Sequence, residues 1–97
     1  VYTYNVCMIR FEWDAQKAVA NLRNHAVSFE EAQSVFYDEF AMQFFDEPHS
    51  SEEDRFVMLG MSGTAVHCVR ESDDVIRLVS ARKATRNESK YYEGLKQ

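Results

Sequence analysis

Two arginines on one short stretch are the residues of this chain best suited to chemistry. The stretch Val75 to Ala84, Val-Ile-Arg-Leu-Val-Ser-Ala-Arg-Lys-Ala, reads with period 2 as a central strand. Ile76, Leu78, Ser80 and Arg82 point one way, and Val75, Arg77, Val79, Ala81 and Lys83 the other, so one arginine falls on each face. A guanidinium among aliphatic neighbours is costly unless carboxylates, phosphates or carbonyls meet it. The strand therefore either threads an ion-pair network or lines an anion site. Arg55, at the start of another predicted strand, is a third guanidinium, whose planar fork matches phosphate oxygens two at a time and stays charged. Imidazole as a class titrates near neutrality, so His49 in a polar loop or His67 in a strand can pass a proton, while His25 stands at a helix end where it can cap carbonyls. Lys17 projects from the polar side of the first predicted helix beside Asp14. The run Glu52-Glu53-Asp54 resembles a carboxylate cluster. Hard cations need oxygens converging from fixed geometry, however, and a charged loop is ordinarily solvated, so no metal and no cofactor are expected.

The elements that position these groups are set within one domain. With 97 residues, 45% hydrophobic and 28% charged, and only three Gly and one Pro, the chain suits a single soluble core and excludes collagenous, disordered and repeat classes. The apolar start lacks a basic region and is interrupted by Thr3 and Asn5, so neither signal peptide nor membrane span is expected, and the expected location is cytoplasmic. Cys7 and Cys68 lack metal-ligand spacing and read as free thiols in a reducing compartment. The net charge of −5 is unevenly spread. Residues 1–74 carry 5 Lys and Arg against 14 Asp and Glu, and residues 75–97 carry 6 against 2. Any polyanion contact is therefore local.

Val6 to Trp13 alternates as a strand with one apolar face. Asp14 is an N-cap for a helix through about Asn24, with Ala15, Ala18, Val19 and Leu22 on its apolar stripe and Lys17, Asn21 and Asn24 facing elsewhere. Ser28 and Glu31 form a capping box before a second short helix that carries Phe29, Ala32, Val35 and Phe36. Strands are predicted over Ala41–Phe45, Arg55–Met61, Ala65–Glu71 and Val75–Arg82, joined as an antiparallel meander, with the acidic loop between the first two. Thr85 and Glu88 make another capping box, and Tyr91, Tyr92 and Leu95 supply the contacts of a terminal helix. The expected fold is α+β: an antiparallel meander packed by two N-terminal helices and one C-terminal helix, with one sheet face open.

Several ordered motifs extend this reading. Phe11-Glu12-Trp13-Asp14 with Lys17 and Asn21, His25 with Val27-Ser28-Phe29-Glu30-Glu31-Ala32, Asp46 with His49, Ser50 and Arg55, and Ile76-Arg77 with Ser80 to Ala84 together resemble the BrnT toxin family over about residues 8–95. The resemblance implies a RelE-like fold and a ribonuclease toxin of a type II toxin-antitoxin pair. It also implies neutralisation by a BrnA-type ribbon-helix-helix antitoxin, through which alone operator DNA would be met. The family's polar positions fall on Lys17, His25, His49, Arg55, Arg77 and Arg82. Three departures stand out. Ala26 replaces the family's usual Gly at a position expected to be left-handed, the hairpin around residues 62–66 is short, and residues 1–7 precede the family's usual start.

A metal-independent ribonuclease needs a base for the 2′-hydroxyl, cations for the phosphate and an acid for the leaving oxygen. The assignments implied are Arg55, Arg77 and Arg82 on phosphate, Lys17 and His49 in proton or charge transfer, and Lys83, Arg86 and Tyr92 along the RNA. Period 2 favours Arg82, beside Lys83 and a capped helix start, as the phosphate ligand, and leaves Arg77 structural on the other face. The alternative function is a non-catalytic module that binds the antitoxin and tunes its operator binding.

Overall fold

Alternating burial along four stretches builds an antiparallel ladder, and a short strand joins its far edge in the opposite sense. The computed structural model describes residues 9–45, 53–60 and 63–90. Strands β1 (Arg10–Glu12), β2 (Met42–Phe45), β3 (Asp54–Leu59), β4 (Thr64–Ser72) and β5 (Val75–Lys83) form one sheet in the order β1-β5-β4-β3-β2. The predicted meander is present as β2 to β5. The sheet is nevertheless mixed rather than antiparallel, because β1 lies parallel to β5, with Arg10 opposite Val75 and Glu12 opposite Arg77. β1 reaches its neighbour only through two helices and the whole meander, so no hairpin dictates an antiparallel sense. Among the described residues no helix is long and apolar enough to cross a membrane.

The first two of the three predicted N-caps open α1 and α2. Asp14 Oδ1 accepts the Lys17 N–H at 3.0 Å at the start of α1 (Ala15–His25), and Ser28 Oγ accepts the Glu31 N–H at 3.0 Å at the start of α2 (Phe29–Gln33). α2 tightens into a 3₁₀ turn over Ser34–Tyr37, which carries Val35 and Phe36 into the core. There Val27, Phe29, Ala32, Val35 and Phe36 meet Phe56 and Met58 of β3, Val66 and Cys68 of β4, and Ile76, Leu78 and Ala81 of β5. Phe36 stands edge-on to both Phe11 and Phe56, with ring centroids 5.0 and 6.4 Å away. Cys68 is a buried free thiol, as predicted, and burial pushes its pKa up, which makes it unreactive; Cys7 lies outside the described residues. Gly60 allows a close approach, since a Cβ there would sit 3.0 Å from a Val35 methyl.

α1 departs from its predicted orientation. Asn21, assigned to the polar side, is its one buried residue, whereas Val19 and Leu22, assigned to the core, are 59% and 53% exposed. The cause is an unfilled sheet edge. β1 covers β5 only over Val75 to Arg77, which leaves the N–H and C=O of Ala81 without a strand partner on that side. The Asn21 amide supplies both: Oδ1 accepts the Ala81 N–H and Nδ2 donates to the Ala81 carbonyl, each at 2.9 Å. Nδ2 also donates to the Val27 carbonyl at 2.9 Å. Satisfying three buried backbone groups outweighs burying two aliphatic side chains, because unpaired amides cost about 1–3 kcal/mol each.

The helix ends at Ala26 in the left-handed conformation expected of that position, with φ 58° and ψ 27°, its N–H donating to the Leu22 carbonyl at 2.9 Å. A Cβ in this region costs about 1–2 kcal/mol. Ala26→Gly is therefore expected to stabilise the protein by roughly 1 kcal/mol, after allowing for glycine's freer unfolded chain. Thermal denaturation should show a midpoint about 4–8 °C higher; an unchanged or lowered midpoint would contradict the strain.

Candidate functional site

The sheet face away from the helices is divided by chemistry. Towards β2 it is apolar, with Leu59 and Ala65 packed by Met42, Phe44, Val57 and Ala84. Towards β5 it is cationic, and the reason lies in one unpaired residue. His67 is opposite Ser80 and Cys68 is opposite Leu78, so Val79 has no partner and forms a bulge. Leu78 and Ala81 both reach the core across this extra residue. The bulge shifts the alternation by one position. Arg77 and Arg82, assigned by strict period 2 to opposite faces, consequently share the open face.

The register then defines three rows across that face. Arg55, Val69 and Arg77 form the first, Val57, His67 and Ser80 the second, and Leu59, Ala65 and Arg82 the third. Successive rows are two residues apart, roughly 7 Å along the strands. In the first row the guanidiniums of Arg55 and Arg77 converge on one carboxylate. Arg55 Nε donates to Glu53 Oε2 at 2.7 Å and Arg77 Nη2 donates to Glu53 Oε1 at 3.1 Å. Arg77 Nε also lies 2.9 Å from Glu71 Oε1. The hydrogen bond from Arg55 is the main cause that holds the Glu53 carboxyl below its usual range, with Arg77 adding to it. Glu53 and Asp54 stay in contact with solvent, as expected of charges in this loop, yet both are paired: Asp54 pairs with Arg70, whose guanidinium lies 4.9 Å over the Phe56 ring.

Arg82 stands apart from this pair. Its fork grips Glu88 through Nη1–Oε1 at 2.9 Å and Nη2–Oε2 at 3.1 Å. Glu88 is held in place by the predicted capping box: its Oε1 accepts the Thr85 N–H at 2.8 Å and its own N–H donates to Thr85 Oγ1 at 3.1 Å. The helix start at residues 86–90 therefore already has an anion within the chain, the carboxylate that Arg82 also holds. Bonding to Arg82 is the largest of the effects that bring the Glu88 pKa down to about 2, and Glu88 in turn raises that of Arg82. Because the folded-state value lies below the unfolded one, Glu88 stabilises the fold fully above the ordinary carboxylate range, and this stabilisation is lost as pH falls through about 2. Glu88→Gln should be less stable than wild type near neutrality by about 1 kcal/mol. In acid titrations followed by circular dichroism the two should converge towards pH about 2; a constant gap would remove the linkage.

The other predicted site residues are dispersed. Lys17 and His25 are exposed on α1, the helix that Asn21 ties to the edge of β5 at Ala81. Lys83 and Arg86 are exposed next to Arg82. His49, Tyr91 and Tyr92 lie outside the described residues. His67 occupies the middle row of the open face, half-buried. Of the carboxylates that engage the arginines, Glu53 stood open in the sequence as an ion-pair partner beside Glu12 and Asp14, whereas Glu71 and Glu88 were not singled out for that role. Glu53 and Arg55 are two residues apart in sequence, and Glu71 is joined to the strand of Arg77 by a tight turn at 73–74.

Residues 13–88 match the family described as "Ribonuclease toxin, BrnT, of type II toxin-antitoxin system". No curated protein matches the chain. Among solved structures, the 1.1 Angstrom-resolution crystal structure of the Brucella abortus ribonuclease toxin, BrnT, superposes with a TM-score of 0.62 at 20% identity, over 80% of this chain and 99% of that one. At that identity the likeness is one of fold.

Proposed function

The chain belongs to the BrnT family of ribonuclease toxins of type II toxin-antitoxin systems, and on that premise we propose that it is a metal-independent endoribonuclease that cleaves RNA by internal attack of a 2′-hydroxyl and so inhibits translation. The observation that carries this reading is the convergence of Arg55 and Arg77 on one carboxylate at the open sheet face. Two planar forks meeting a single bridging anion form the arrangement that a phosphodiester needs, and they become more valuable as charge builds on phosphorus. In this reading the RNA phosphate displaces Glu53 from the pair. Arg82, Lys83 and Arg86 follow the backbone from the third row, with His49 and Tyr92 contributing from the loop and the terminal segment. Lys17, exposed on α1, assists in proton or charge transfer.

The partner in this proposal is a BrnA-type ribbon-helix-helix antitoxin that covers the cationic rows and is the only route to operator DNA, in a cytoplasmic pair. Purified protein incubated with total RNA in excess chelator should produce fragments ending in 2′,3′-cyclic phosphate. Cleavage that needs added magnesium, or none at all, would overturn it. A second reading, a non-catalytic antitoxin-binding module, is favoured by one observation: Arg55, Arg77 and Arg82 are all engaged by carboxylates. Induction that leaves growth unaffected while the antitoxin still co-purifies would select it.

A further inference from the structure

We propose that His67 is the proton-transfer residue of the arginine face, an inference that rests on the ribonuclease reading above. Its place follows from the register. Val69, two residues along β4, lies between Arg55 and Arg77, and Ala65, two residues the other way, lies opposite Arg82. His67 is therefore in the row between the two guanidinium rows, opposite Val57 on one side and Ser80 on the other. The bulge at Val79 makes this alignment, because without it Arg82 would leave the opposite face. A phosphate held at Arg55 and Arg77 sets its adjoining ribose over the next row, where the imidazole stands.

The chemistry of the neighbours narrows the choice. Arginines stay charged and take no proton. Glu53 and Glu71 are the carboxylates of the first row, both engaged with guanidiniums, and an anion held by two arginines is a poor base. Along β4 the residues flanking His67 on this face are Ala65 and Val69, both buried, and His67 itself is half-buried between them. In the reaction the imidazole takes the 2′-hydroxyl proton as the 2′-oxygen bonds to phosphorus and the bond from phosphorus to the 5′-oxygen breaks. The 5′-oxygen takes a proton from solvent, and the imidazolium returns its own to solvent.

The test is the pH–rate profile of wild type, His67→Asn and His67→Ala on a short RNA with one cleavage site, each checked by circular dichroism. His67→Asn should cut kcat about 100-fold or more while RNA binding stays near wild type, and should lose the wild-type dependence on an ionisation near neutrality. Added imidazole should restore part of the His67→Ala rate. A His67→Asn enzyme within about threefold of wild type with the same profile overturns the role. So does a wild-type rate that is flat between about pH 5 and 8. If cleavage survives at His67 but not at Arg55 and Arg77, the inference fails alone; if wild type cleaves no RNA, it fails together with the function it rests on.

Discussion

Arg55→Gln combined with Arg77→Gln is expected to lower kcat/KM for RNA cleavage about a thousandfold, close to 4 kcal/mol of transition-state stabilisation. Each guanidinium gives the phosphate charge-assisted hydrogen bonds, and removing a single such donor costs about a hundredfold to a thousandfold in acyl-transfer sites. Glutamine keeps a polar, unbranched side chain at the strand position but not the charge, so circular dichroism and thermal midpoint should change little. The opposite change supplies a control of opposite sign. Glu53 occupies the space between the two forks, with contacts at 2.7 and 3.1 Å. Glu53→Gln removes the competing charge and should tighten binding of a non-cleavable RNA several-fold, most visibly at low salt. Cleavage unchanged by the double arginine variant, or binding weakened by Glu53→Gln, would remove this pair from the site.

The largest effect on stability is expected at Asn21. Asn21→Ala strands the N–H and C=O of Ala81 and the carbonyl of Val27 in a buried position. Three lost hydrogen bonds, two of them to the sheet edge, should cost about 3–4 kcal/mol, a large part of the 5–15 kcal/mol that domains of this size possess. The thermal midpoint should fall by roughly 15–25 °C. Asn21→Asp is no rescue, since a carboxylate can accept from the Ala81 N–H but meets two carbonyls with no hydrogen to offer. A midpoint within a few degrees of wild type in Asn21→Ala would mean that water replaces the amide and that α1 is held by other contacts.

The arginine site was half legible in the sequence. Arg55, Arg77 and Arg82 were recognisable as the groups whose charge must be met, and both an ion-pair network and an anion site were open. The structure brings two of them onto one carboxylate and gives the third a carboxylate of its own. Asn21 was read as solvent-facing because helical spacing registers only apolar stripes. Its actual partners are an edge and a carbonyl, which leave no trace in a hydropathy pattern.

What the sequence alone determined is everything whose cause is local. The starts of the helices at Asp14, Ser28 and Thr85 follow from side chains three residues from the amides they cap. The meander follows from alternation and tight turns within adjacent segments. The faces of Arg77 and Arg82 belong to tertiary structure. They depend on Val79 being left without a partner when β5 pairs with β4, and a bulge is a property of two strands in register rather than of either strand's own period. The clamp from Asn21 to Ala81, 60 residues away, is likewise set only once β1 stops short and leaves an edge to fill.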